Sequence, residues 1–431
     1  MSRPASRWHN TIAALLCVMT ALSVVGLAAP AAAVGAGLLS FVAGVLLVSQ
    51  VSRSQRVVVV TLTALGLAIL AWGSMRGGDP DWLRMLTLNQ GLISMLAAVS
   101  FLQLIAGAGE PTRRPSSGRR AVVRTIAMTH ALGSVINISA LILVADRLMR
   151  GGPLTWSDSV LLSRAYSCAA FWSPFWGATA VAVTYAPNAQ LAVVMPLGMV
   201  LALIALGFSA RTVVRELGDD VSNYTGFPVS LEALWVPLTL VIGCLGTHTL
   251  LPQVPTTGIV AMCSLGLTGA VLLLRVRWGV GRALAEHART RLPAMGGELT
   301  LFCSAGVLAI GIATAVQASP PPLPIDRFTA WSAWALLLAI VAISLVGVHP
   351  AISIAAAATL LNPLDPNQTL FALTSVVAWG SVAAAGPLSG LNIVLNGQFG
   401  VDNFRLARRN WRYLVVMLVC ALPLLHVGAL V

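Results

Sequence analysis

The chain has no lysine, and of its 431 residues only 14 are acidic and only 4 are tyrosine. Charged residues of all kinds make up 9% of it, against about 25% in ordinary soluble domains. That scarcity excludes a water-soluble globular chain, which needs charge to cover its surface. Without lysine there is no Gly-x-x-x-x-Gly-Lys-Ser/Thr loop, so the chain carries no ATP-binding motif of its own. Cys17, Cys168, Cys244, Cys263, Cys303 and Cys420 each stand alone in an apolar run, with no Cys-x-x-Cys spacing. They read as small buried hydrophobes and offer no metal site. No basic soluble face interleaved with aromatics is present either, so the net charge of +12 does not point to nucleic acid. No cofactor motif is found.

What fills the chain is apolar sequence, 57% hydrophobic residues with a mean hydropathy of +0.87. A helix crossing a bilayer needs roughly 20 apolar residues, so this content would fill on the order of twelve spans. Runs near 11–29, 31–50, 56–74, 87–107, 165–186, 189–209, 230–250, 256–274, 298–317, 368–398 and 413–430 each read as one crossing. The stretches 125–146 and 328–363 do not: Arg124 precedes the first and Arg147 and Arg150 follow it, and the second is too long and broken at His349-Pro350. Read as re-entrant hairpins, they let the arginines sort by side. With the N-terminus inside, 23 of the 26 arginines become cytoplasmic, including Arg3, Arg7, the cluster Arg113, Arg114, Arg119, Arg120 and Arg124, then Arg164, Arg275, Arg277 and Arg412. Only Arg76, Arg84 and Arg327 fall outside. This is the positive-inside pattern. The predicted fold class is an all-α polytopic membrane protein with about eleven transmembrane helices, two re-entrant hairpins and the C-terminus outside. Residues 1–30 resemble a signal peptide but are read as an uncleaved extra first helix, because the run is near full span length.

The two halves share a plan. Residues 31–228 hold an inward hairpin whose tip runs from His130 to Ser139, then a span interrupted at Trp172-Ser173-Pro174-Phe175-Trp176-Gly177. Residues 229–431 hold an outward hairpin with its tip at Gly347-Val348-His349-Pro350. A span follows with breakers at Trp379-Gly380-Ser381 and at Gly386-Pro387-Leu388-Ser389-Gly390. An odd number of spans per half inverts the second copy in the membrane. Inverted repeats with discontinuous helices are the plan of secondary transporters, since non-helical backbone survives in hydrocarbon only where protein or a cavity surrounds it.

This layout resembles that of the ion transporter superfamily, which includes the divalent anion/sodium symporters, and the resemblance covers nearly the whole chain. Its dicarboxylate-binding members carry Ser-Asn-Thr at each hairpin tip; the nearest match here is Ser134, Asn137 and Ser139, with Ser353 beside His349 at the second tip. The resemblance implies an elevator in which one domain, holding hairpins and broken helices, moves past a scaffold that can form a homodimer.

Half-helix N-termini favour an anion, and unwound carbonyls a cation. Ser134, Asn137, Ser139, Ser173, Pro174, Ser353, Ser381, Ser389 and Asn392 are the candidate substrate-binding residues, each serine having local backbone capping as its alternative. His130 and His349 occupy similar places in the two halves and are candidates for coupling or gating, or else neutral structural histidines. Trp172, Trp176 and Trp379 either stack on substrate or anchor and pack. Most of the acids, Glu110 among them, fall in connections between spans. Asp146, Glu232 and Glu298 lie near span ends, and neither an acid nor an arginine is evident at mid-depth. The expectation is therefore a non-enzymatic secondary transporter of a small anion, an organic acid by preference, coupled to Na+ or H+, in contact with membrane lipids of a bacterial plasma membrane. An exporter of a toxic anion or metabolite with the same fold, and a membrane-embedded polysaccharide or lipid-linked transferase, are the alternatives.

Overall fold

A computed structural model describes residues 9–105, 117–149, 152–227, 235–276 and 279–431. Arg3, Arg7, Glu110, Arg113, Arg114, Arg150, Glu232 and Arg277, used in the assignments above, lie outside the described residues. In chain order the helices are α1 (His9–Val25), α2 (Pro30–Val48), α3 (Arg53–Met75), α4 (Trp82–Thr87), α5 (Gln90–Ser100), α6 (Gly118–Ile136) and α7 (Ile138–Leu148). They continue as α8 (Trp156–Ser167), α9 (Gly177–Tyr185), α10 (Leu191–Leu217), α11 (Trp235–Leu250), α12 (Thr256–Val276), α13 (Val280–Arg291) and α14 (Gly296–Ala318). The last are α15 (Ala330–Leu345), α16 (Pro350–Leu361), α17 (Gln368–Ala385), α18 (Gly390–Phe399), α19 (Asn403–Arg409) and α20 (Trp411–Gly428).

Short polar side chains set many of the helix starts. Ser52 accepts the Gln55 N–H at 3.3 Å to open α3, and Asn367 accepts that of Leu370 at 2.9 Å to open α17. Thr155 and Asp158 cap each other's backbone at the start of α8, and Thr329 and Ser332 do the same for α15. Among the described residues, eight helices are long and apolar enough to cross a membrane, and α1, α11, α15 and α16 are apolar but shorter. Burial runs opposite to that of a soluble protein. Val45, Leu203, Ile242 and Leu274 are 61–81% exposed while Ser163, Ser167, Thr374 and Ser375 are fully buried. Exposed leucine is at no disadvantage against lipid tails, whereas a hydroxyl needs a protein partner there. The chain is an all-α, multi-pass membrane protein.

The chain forms two compact units, each drawing on both halves of the sequence. The first holds residues up to Ile105, Leu240–Pro324 and Ala355–Asp365. In it α3 and α14 meet backbone to backbone. A Cβ added at Gly66 would lie 2.8 Å from Leu308 Cα, one at Gly73 would lie 2.7 Å from Ala315 N, and one at Gly311 would fall on the Gly66 carbonyl. Such seams of small residues let helices approach closely in lipid. The polar helix α13 is fixed by His287, whose Nε2 lies 3.2 Å from Ser100 Oγ and whose ring centroid is 4.7 Å from that of Phe101.

The second unit holds Ala106–Thr239, Ile325–Ile354 and Pro366–Val431. Its centre is α17, buried along nearly its whole length and packed by α8, α9, α10, α15 and α20. Two expectations are corrected here. No interruption occurs at Trp379-Gly380-Ser381: α17 runs unbroken from Gln368 to Ala385 and yields only at Gly386–Ser389. Gly380 is there for space, since a Cβ on it would come within 2.5 Å of the Phe171 ring. Arg164, counted above among the cytoplasmic arginines just before the span 165–186, lies inside α8 and is only 3% exposed.

Candidate functional site

Helices end with unpaired carbonyls, and α6 ends with those of Gly133 to Ile136 free of intrahelical partners. The chain then turns through Asn137, whose φ of 50° and ψ of −140° no helix can continue, and resumes as α7. Between α8 and α9 the helix tightens over Cys168–Phe171 and unwinds over Trp172–Trp176, where Pro174 has no N–H to give. The unwound segment caps the turn. Trp176 Nε1 donates to the Gly133 carbonyl at 2.8 Å, and Ser173 Oγ donates to that of Ser134. In return Asn137 Nδ2 donates to the Phe175 carbonyl at 3.3 Å. Ser173 also accepts the Phe175 N–H at 3.2 Å, and its carbonyl takes the Thr179 hydroxyl at 2.7 Å.

His130 joins the same cluster. Trp172 Nε1 can only donate, so His130 Nε2, 3.1 Å away, accepts. Nδ1 therefore carries the proton and donates to the Ala165 carbonyl at 3.1 Å, with Cys168 Sγ 3.3 Å from the same nitrogen. The imidazole is neutral in this arrangement, with both nitrogens engaged. Trp172→Phe is expected to leave Nε2 buried without a donor and to cost about 1–2 kcal/mol. Thermal melts of the two proteins in one detergent check this, and a melting temperature unchanged by the substitution would contradict the tautomer assigned.

The second interruption uses asparagines. Ser389 caps α18 by accepting the Asn392 N–H at 3.2 Å, and its Oγ donates to the Ala383 carbonyl at 2.9 Å. Asn392 Nδ2 reaches the carbonyls of Ala384 (3.2 Å) and Gly386 (2.9 Å), and Asn403 Nδ2 that of Pro387 (2.8 Å). Asn410 Nδ2 also binds the Ala384 carbonyl at 2.8 Å, and lies 3.1 Å from Ser163 Oγ on α8. Its Oδ1 accepts from Arg164 Nε at 2.8 Å. Arg164 completes the network by donating to Thr212 Oγ1 at 2.8 Å and to the Arg409 carbonyl at 2.9 Å. One amide thus links the helix before the first interruption to the last turn before the second.

At the start of α16, His349 Nδ1 accepts the Ala351 N–H at 3.3 Å, and its ring stands edge-on to Trp379 with centroids 4.8 Å apart. Trp379 also meets the first residue of α9, since a Cβ on Gly177 would lie 3.6 Å from the indole. The starts of α9 and α16 therefore meet the middle of α17 around one indole.

The structure brings His130, Ser134, Asn137, Ser173 and Pro174 together at the first interruption, and Ser389 and Asn392 at the second. Ser134 itself caps locally, donating to the Ala131 carbonyl at 2.8 Å. Ser139 and Ser353 are half-buried on the first turns of α7 and α16, and among the described residues their side chains form no hydrogen bond with either cluster. Ser381 Oγ and Asn392 Oδ1 are fully buried with no hydrogen-bond partner among the described residues. Arg164, Thr179, Asn403 and Asn410 were not among the sequence candidates. The signal for Arg164 was an arginine set between Ser163 and Ser167 within the run Val160–Phe171.

At one edge of the unit Asp158 takes the Tyr224 hydroxyl at 3.0 Å besides capping α8. Burial, and then the nearby Asp158 charge, push the Tyr224 hydroxyl above its ordinary pKa, which keeps it a donor. Among the described residues no group of three His, Cys, Asp or Glu side chains could hold a metal ion. No protein-family model matches the chain, and no curated protein matches its sequence.

Proposed function

We propose that the protein is a secondary active transporter that moves a small anion, an organic acid by preference, across a bacterial plasma membrane. The observation that carries this reading is a pair of interrupted helices, α8/α9 broken inside buried protein and α17/α18 broken at a partly exposed turn, joined through Asn410. An enzyme of polysaccharide or lipid transfer would be served by clustered catalytic acids, bases or nucleophiles; here the polar groups are mostly amides, hydroxyls and helix ends, and the one imidazole among them, His130, has both nitrogens engaged by Trp172 and Ala165. Those are groups that bind and release. The first-turn N–H groups of α9 and α18 supply positive dipole ends, and Ser381 Oγ on α17 and Asn392 Oδ1 on α18 supply uncommitted hydrogen-bonding capacity in the same unit.

In this reading α6/α7 and α15/α16 are the two re-entrant hairpins, eleven helices span, the N-terminus is cytoplasmic and the C-terminus is outside. Substrate moves by an elevator motion coupled to Na+ or H+, with a homodimer as the working form. That both interrupted helices fall within one compact unit supports the elevator.

The test is thermal stability of the purified chain against mono-, di- and tricarboxylates, sulfonates and inorganic oxyanions, each with sodium and with choline. A ligand that binds only the folded state raises the melting temperature by mass action. One anion class is expected to give a saturable shift. Ser381→Ala, which removes an unpartnered hydroxyl, is expected to abolish that shift while leaving the unliganded melting temperature within about 1 °C. If no anion shifts the wild type, anion transport is the wrong reading.

A further inference from the structure

The last apolar helix, α20, is entered through a short basic one. Asp402 opens α19 by accepting the Arg405 N–H at 2.8 Å, so its carboxylate is committed to the cap. Asn410, between α19 and α20, keeps right-handed helical dihedrals. Its N–H reaches the Leu406 carbonyl at 3.0 Å, and its own carbonyl takes the Leu414 N–H at 2.9 Å. Helical spacing thus carries from one helix to the other and sorts their side chains into three stripes. Leu406, Asn410 and Tyr413 are fully buried. Arg405, Arg408, Arg409 and Arg412 follow at i, i+3, i+4 and i+7, and all four are exposed. Phe404 and Trp411, seven residues apart, border the arginines on the flank away from the buried stripe and are 60% and 57% exposed.

Four like charges on one helix face repel one another, and little on the protein offsets them. Trp156, at the start of α8, lies beneath two of them: the guanidinium carbons of Arg405 and Arg409 stand 4.3 and 5.5 Å from its ring centroid. Arg409 also pairs with Glu216 of α10 at 3.5 Å. Arg408 and Arg412 form no ion pair and no side-chain hydrogen bond among the described residues. Such a stripe repels cations and suits an anion whose oxygens match guanidinium forks, as those of a phosphate do. The exposed rings choose among phosphates. A dissolved ion gains nothing from Phe404 and Trp411, whereas a phospholipid sets its phosphate on the arginines and its glycerol and acyl ends on the rings. Because α20 is long and apolar enough to cross a membrane and begins at Trp411, it holds the stripe at headgroup depth. We propose that α19 and the first turn of α20 bind the headgroup of an anionic phospholipid, with Arg408 and Arg412 as the phosphate ligands and Arg405 and Arg409 held beside them by Trp156. The site stands whether or not the anion-transport reading does. Lipid bound there braces α19, whose Asn403 holds the Pro387 carbonyl of the second interruption and whose Arg409 carbonyl holds Arg164.

The experiment uses the full-length protein in dodecyl maltoside, melted with rising phosphatidylglycerol, and with phosphatidylcholine and inorganic phosphate in parallel. Phosphatidylglycerol is expected to raise the melting temperature saturably, less so at high NaCl, while the other two give no rise. Arg408→Gln/Arg412→Gln removes both uncommitted forks at exposed positions. It is expected to leave the lipid-free melting temperature within about 1 °C and to raise the half-saturating lipid concentration about thirtyfold. Each single variant should raise it about fivefold, which keeps the test decisive if the pair folds poorly. Arg282→Gln/Arg289→Gln, the same loss of charge on α13, should leave it unchanged. An equal rise with phosphatidylcholine overturns the proposal by showing general lipid solvation, and an equal rise with inorganic phosphate overturns it by showing a site for a free anion. A phosphatidylglycerol response that the α19–α20 variants leave unchanged, or that the α13 variant weakens as much, overturns it too.

Discussion

Replacing Arg164 with methionine is expected to destabilise the protein by about 3 kcal/mol, a loss typical of removing one partner from a buried charged network. Methionine keeps much of the length and all of the stem's apolar packing, so the loss is in the fork. Three acceptors, the buried Asn410 Oδ1 and the part-buried Thr212 Oγ1 and Arg409 carbonyl, lose donors at 2.8, 2.8 and 2.9 Å. The rings of Phe208 and Tyr413, with centroids 5.7 and 5.5 Å from the guanidinium carbon, lose a cation above their faces. Arg164→Lys keeps the charge but offers a point donor that cannot span three acceptors, so it should recover only part of the loss. Asn410→Leu should be strongly non-additive with Arg164→Met, because both remove the same hydrogen bond. Unfolding of wild type, the three single variants and the Arg164→Met/Asn410→Leu double variant in one detergent checks this; a methionine variant within about 0.5 kcal/mol of wild type would show that the network holds nothing.

Why Arg164 could not be read from the sequence is a matter of distance along the chain. Its partners lie 48 and 246 residues away, and the local signal, an arginine between two serines in the run Val160–Phe171, does not tell a buried arginine from one that marks a cytoplasmic span end. The same limit explains Gly380. Glycine between tryptophan and serine in an apolar run reads as a breaker, yet here it makes space for a phenylalanine ring from another helix. What was legible was legible for local reasons. The long apolar runs of α3, α10, α12 and α14 announce their helices by length and composition. Ser173-Pro174 announces the unwound segment by a missing N–H, and the Asn137 turn follows from a residue type that tolerates positive φ.

The candidate serines and histidines illustrate a subtler limit. Polar residues near helix breaks can be found by pattern, but their assignment between capping and binding cannot. Ser134, Ser173 and Ser389 use their hydroxyls on backbone carbonyls. Ser381, which sits in an unbroken helix, is the serine among them left buried without a partner. His130 and His349 looked equivalent, yet one is held between Trp172 and Ala165 while the other caps a helix and stands on Trp379.

Gly198→Ala and Gly207→Ala, the same change on the same helix α10, are expected to shift stability in opposite directions. Gly207 has open space around its Cβ position, so alanine there should gain up to about 1 kcal/mol from helix propensity. At Gly198 the added Cβ would fall on the Phe171 carbonyl oxygen, lie 2.7 Å from its carbon and 3.2 Å from Trp172 Cα. These are backbone atoms at the mouth of the first interruption, and Phe171 cannot retreat, because Gly380 already meets its ring on α17. The segment Trp172–Trp176 must then shift, and with it the Ser173 and Trp176 bonds that cap α6. Overpacking of this kind costs about 1–3 kcal/mol, so the two alanine variants should differ by about 2–4 kcal/mol. Gly198→Val should lose any anion-induced rise in melting temperature as well, since the start of α9 follows directly on the displaced segment. Gly380→Ala meets a side chain instead of backbone, which can give by rotation, and should therefore be milder than Gly198→Ala. If the order of those two were reversed, the ring of Phe171, not its carbonyl, would be what fixes the first interruption.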